Sequence, residues 1–112
     1  MNNYIEKGEV LELTAPVGGV VKNTPYKIGD LIVIATVSAD AGAKFSAFVG
    51  PGVVEVAKVS AQAWTENVKV YWDNTAGNFT TTSSGNTLAG TAAKAAANPS
   101  ATGWVRLDGV AR

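Results

Sequence analysis

The chain has no cysteine and no histidine. The first absence removes disulfides and thiolate chemistry. The second removes the commonest general base at neutral pH and the commonest transition-metal ligand. Charge is scarce as well: 16% of the 112 residues are Asp, Glu, Lys or Arg, below the usual quarter of a globular chain. Nine basic residues balance nine acidic ones, so the electrostatic footprint of a nucleic-acid binder is missing. No apolar run approaches the roughly 18 residues of a membrane span. The longest, Leu31 to Ala35, is strand-sized. The opening "MNNYIEKGEV" lacks the basic stretch and apolar core of a secretory signal. These absences predict neither a nucleic-acid partner nor a membrane.

The residues that remain are poor material for catalysis. Serine and threonine are plentiful, but a hydroxyl nucleophile needs an activating base, and no motif sets a lysine beside one. The nine acids fall singly along the chain rather than at the alternating spacing of a calcium loop. No G-x-x-x-x-G-K-[ST] phosphate loop occurs. The expectation is a protein with no enzymatic activity, no cofactor and no metal site.

What the chain does have is small apolar residues, 18 alanines and 15 valines among them, and turn residues at short intervals. "EVLELTA" alternates, with Leu11, Leu13 and Ala15 on one face. "APVGGVV" and "PYKIGD" read as breaks. "LIVIATV" is apolar on both faces, the mark of a strand covered on both sides. "KFSAFV" and "VVEVAKV" flank Gly50-Pro51-Gly52 and read as neighbouring antiparallel strands. "SAQAWTEN" is a helical turn or an irregular crossing. "VKVYW", "DNTAGN" and "FTTT" form a hairpin, with Val68, Val70 and Trp72 inward, Asp73 capping the loop and the threonines on an exposed strand. Local propensity would make Thr91 to Ala97 a helix, but about two turns without a large apolar residue are unstable alone; the context favours a strand. "GWVRLDGV" closes the pattern, with Val105 and Leu107 facing one way and Arg106 and Asp108 the other. Short strands with turn signals every 8 to 12 residues predict one all-β domain over residues 1–112, a barrel or sandwich of short antiparallel strands.

Three stretches, "NYIEKGEVLELTAPVGGVV", "IGDLIVIATVSADAG…VYWDNTAGNFTTT" and "GNTLAGTAAKAAA…ATGWVRLDGVAR", occur in an order that resembles the small tailed-phage capsid decoration, or cement, proteins. The most specific parts are "VYWD…FTTT…GNT" and "VRLDG". Members are often labelled phage recombinases in genomes. A strand-exchange ATPase needs a phosphate loop, a Mg²⁺ carboxylate and a basic DNA channel, and this chain has none of them. It departs from the family pattern at Asn67, where a glycine is usual; asparagine is the next residue most able to take positive φ.

The resemblance implies a small β-barrel or β-tulip-like module, a homotrimer. It would bind the expanded capsid lattice and bridge major capsid protein subunits. Its place would be the outer capsid surface of the virion, after synthesis in the host bacterial cytoplasm. Residues 1–8 would be an arm, with Asn2, Asn3, Tyr4 and Ile5 facing the capsid; the alternative is a first strand of the chain's own sheet. Trp64, Trp104, Ile32 and Ile34 are the candidate subunit contacts, because large aromatics and two-faced apolar strands need cover; the alternative is plain core. A second reading is a virion-surface carbohydrate- or host-binding module, since Trp and Tyr beside Asn and Asp suit sugar stacking and hydrogen bonding.

Overall fold

A computed structural model describes residues 10–110. Among them it contains nine strands and no helix, which establishes the all-β class. The strands are β1 (Val10–Thr14), β2 (Pro25–Ile28), β3 (Leu31–Ala35), β4 (Lys44–Phe48), β5 (Gly52–Ala57), β6 (Lys69–Asp73), β7 (Asn78–Thr80), β8 (Thr87–Ala92) and β9 (Thr102–Leu107). Every pairing between them is antiparallel. Two sheets result, in the orders β1-β4-β3-β2 and β5-β9-β8-β6-β7.

The five-stranded sheet curls into a half-barrel. Its two outer strands, β5 and β7, approach each other where the chain leaves β5. There Lys58 forms a parallel bridge with Phe79, and the amide of Val59 donates to the carbonyl of Phe79 at 3.0 Å. The inward side chains follow from the two-residue period of a strand. Val70 and Trp72 of β6, Phe79 of β7, and Val105 and Leu107 of β9 are all buried in one cluster.

β3 shows why a strand can be apolar on both faces. Ile32 and Ile34 point to the half-barrel, where they join its cluster. Val33 and Ala35 point the other way and pack with Phe45, Ala47 and Val49. Ala15 and Val20, from the connection after β1, help to close that second cluster. Among the described residues, both faces of the strand meet side chains of this chain, with Leu31 and Ile34 half-buried.

Four expectations change. Pro25–Ile28 is a strand rather than a break, joined to β3 through the two-residue turn Gly29-Asp30. The proline is tolerated because β2 lies at the edge of its sheet. Gly50-Pro51-Gly52 is not a hairpin: β4 pairs with β1 and β3, whereas β5 pairs with β9. The chain changes sheets there, and the crossing is tight. A Cβ on Gly50, at φ +96, would lie 2.6 Å from the carbonyl oxygen of Leu107, and one on Gly52 would lie 2.6 Å from the Phe48 ring. The threonine run gives only a three-residue strand, and Thr80 is buried. The alanine-rich segment is strand only to Ala92; it then bends irregularly, so that Ala96 bridges Trp64. "SAQAWTEN" is the irregular crossing rather than a helical turn.

Candidate functional site

Two groups of polar and aromatic side chains stand out, one internal and one on the surface. The internal group begins at Lys58. It continues the inward alternation of Val54 and Val56 beyond β5 and is 4% exposed. Its ammonium donates to the carbonyls of Val59 (2.8 Å), Ser100 (3.1 Å) and Gln62. It also lies 5.7 Å from the centroid of the Trp64 ring. A buried charge is tolerable only when hydrogen bonds replace its lost hydration, and here carbonyls from two separate segments supply them.

Gln62 extends this network. Its Oε1 accepts from Trp64 Nε1 (3.0 Å) and from the Thr81 amide (2.8 Å), while its Nε2 donates to Thr80 Oγ1 (3.2 Å). The crossing segment is thereby tied to the end of β7 and to the loop before β9. Lys58 was not singled out from the sequence, although its two-residue spacing from Val54 and Val56 is a signal that could have found it. No sequence signal marks Gln62, because the loop that presents it has no periodicity.

The loop of the "VYWDNTAGNFTTT" stretch is held by local hydrogen bonds, although the buried Oδ1 of Asn78 has no partner. Asp73 Oδ1 accepts from the amides of Thr75 and Ala76, each at 3.0 Å, which is the predicted loop cap. Trp72 Nε1 donates to Asn74 Oδ1 at 3.0 Å. The Trp72 and Phe79 rings pack with centroids 5.0 Å apart. This hairpin holds the half-barrel together rather than presenting a reactive group.

The surface group lies on the outer face of the half-barrel. Trp104 of β9 is 41% exposed. It stands opposite Glu55 of β5, and Lys94 Nζ sits 3.8 Å from the centroid of its ring. Glu55 Oε2 accepts from Thr102 Oγ1 at 3.3 Å. A shallow hollow of about 310 Å³ beside the indole is lined by Val53, Val54, Glu55 and Trp104. Val53 is itself exposed. An aromatic set in a partly apolar hollow and ringed by charge has the make-up of a protein-contact surface.

The predicted site residues separate. Trp64 (2% exposed) and Ile32 (5%) lie inside the half-barrel, with Ile34 packed against the same cluster. Within this chain the half-barrel and β3 cover Trp64 and Ile32, and Ile34 is half-buried. Trp104 is the one of the four that is exposed. Asn2, Asn3, Tyr4 and Ile5 lie outside the described residues. Asn67 does adopt a positive φ, of 66°.

A family model described as phage cement protein matches residues 5–107 of the chain. No curated protein and no solved structure matches it.

Proposed function

We propose a function from one premise: the chain belongs to the phage cement protein family. Membership carries a structural, capsid-stabilising role and association with the virion capsid. Beyond that, our reading is that the protein binds the outer surface of the expanded shell as a homotrimer and bridges neighbouring major capsid protein subunits. The observation that carries this reading is the family match itself, which runs from before β1 to the last residue of β9.

The architecture is suited to such work. The internal network around Lys58 and Gln62 holds the outer strands of the half-barrel together without a large core. A rigid module loses little conformational freedom on docking. Joining several modest contacts in one oligomer then gives avidity well beyond any single one. In this reading Trp104, expected from the sequence as a contact between subunits, faces the capsid instead, and Asn2, Asn3, Tyr4 and Ile5 add a second contact to it. The sugar-binding alternative is less well served, because Lys94 occupies one face of the exposed indole on which a pyranose would stack.

Co-sedimentation with expanded, undecorated capsids, with unexpanded procapsids as control, tests the proposal. Saturable binding to expanded shells, at a stoichiometry tied to the lattice, is the expected result. Absence of binding to either shell would remove it.

A further inference from the structure

We infer that the outer face of the half-barrel around Trp104 is a docking surface for an acidic segment of the capsid subunit, one that also presents an aliphatic side chain. The inference rests on the cement reading and adds to it the surface used and the chemistry of what it meets.

The register builds the surface. One cross-strand row runs Lys69, Thr91, Arg106, Val53 over β6, β8, β9 and β5. The adjacent row holds Trp104 opposite Glu55, with the Ala93 amide bonded to the Trp104 carbonyl. The chain bends after Ala93 and brings Lys94 over the indole. Lys69, Lys94, Trp104, Arg106, Val53 and Glu55 are all exposed. Three cations therefore stand against the carboxylates of Glu55 and of Asp108, which follows Arg106 on the same side of β9, a surplus of one positive charge on a chain whose formal net charge is zero.

Both acids are engaged, Asp108 Oδ1 accepting from the Val110 amide at 3.2 Å. Glu55 accepts a hydrogen bond from Thr102, which leaves the cationic groups to set the character of the face. Charge complementarity then selects an acidic partner. The hollow between Val53 and Trp104, about 310 Å³, takes the aliphatic group. The indole provides the large, stiff contact area typical of binding hot spots. Lys94 holds it by a cation–π contact, an interaction of about 0.5–1 kcal/mol at exposed sites.

The test measures binding to expanded, undecorated capsids for the wild-type chain and three variants. K69E/K94E/R106E reverses the cations and keeps the indole. W104A removes the indole and keeps the cations. K22E/K27E reverses two exposed cations away from this face. The first two variants differ in what they remove, so a folding failure in one, read by near-ultraviolet circular dichroism, leaves the other informative. The expected result is a loss of roughly a hundredfold in affinity for the triple variant. W104A should lose about tenfold or more, and K22E/K27E should bind as wild type. Moderate salt should also weaken wild-type binding.

Wild-type binding that neither W104A nor the triple variant alters overturns the docking face while leaving the capsid reading intact. Equal loss in K22E/K27E overturns it too, as general electrostatic attraction. If light scattering finds that the triple variant falls from oligomer to monomer, the face belongs to a second copy of this chain and the inference fails. Absence of wild-type binding overturns the cement reading, and this inference with it.

Discussion

Replacing Gly103 by alanine tests how the half-barrel seats its largest core residue. A Cβ at that position would stand 2.4 Å from Cζ3 of Trp64, 2.8 Å from Cε3 and 3.1 Å from Cη2. Carbon atoms in favourable contact are about 3.5–4.0 Å apart, so the indole would have to retreat by an ångström or so. It has little freedom to do so. It is 2% exposed, its Nε1 is bonded to Gln62, and its backbone bridges Ala96. Overpacking of this kind costs about 1–3 kcal/mol, and loss of the Trp64–Gln62 hydrogen bond adds about 1 kcal/mol. The expected destabilisation of G103A is therefore about 2–4 kcal/mol. A domain of this size loses about 4–8 °C in Tm per kcal/mol, so the drop should exceed about 8 °C. Urea denaturation and calorimetry measure it directly. The control is W64L, which vacates the space that the new methyl group needs. In that background G103A should cost less than about 1 kcal/mol, giving a coupling well above the additivity error for independent sites. A G103A protein within about 0.5 kcal/mol of wild type, or one equally damaged in the W64L background, would mean that Trp64 does not press on position 103.

Three smaller perturbations follow from other contacts. K58M keeps the aliphatic stem but leaves the carbonyls of Val59, Gln62 and Ser100 without their ammonium donor. It should cost about 2–3 kcal/mol in urea denaturation, and a variant as stable as wild type would mean that the buried charge contributes nothing net. Asn67 sits at φ 66; N67G should be neutral or slightly stabilising, whereas N67V should cost about 1–2 kcal/mol because a β-branched side chain is strained there. D73A removes the acceptor for two loop amides and should cost about 1 kcal/mol, with hydrogen exchange rising first at Thr75 and Ala76.

The strands that alternate cleanly were legible in the sequence. β1, β6 and β9 each place one apolar face inward, as Leu11 and Leu13, Val70 and Trp72, and Val105 and Leu107 do. β3 was legible as covered on both faces, but its sequence does not say by what. A strand between two clusters of its own chain and a strand at a subunit interface have the same pattern; the packing shows that Ile32 meets the half-barrel of its own chain. Gly50-Pro51-Gly52 misled because a hairpin and a change of sheet both need tight, glycine-lined turns; partners distant in sequence, β1 for β4 and β9 for β5, decide between them. The alanine-rich segment has no side chain large enough to impose a period, so its path is set by Trp64 and Trp104, which it packs over. The surface around Trp104 was half legible. The residue stood out as a large aromatic on a strand, but its neighbours Lys94, Glu55 and Arg106 come from three strand regions that only the register unites.

The measurement that bears most directly on a cementing role is the stability of the shell itself. Expanded capsids lacking decoration would be heated with and without saturating protein, and disruption followed by release of capsid subunits or DNA. A higher disruption temperature is expected in the presence of the protein, rising with occupancy until the lattice sites are filled. A disruption temperature unchanged at full occupancy would contradict it, leaving a protein that binds the shell without holding it together.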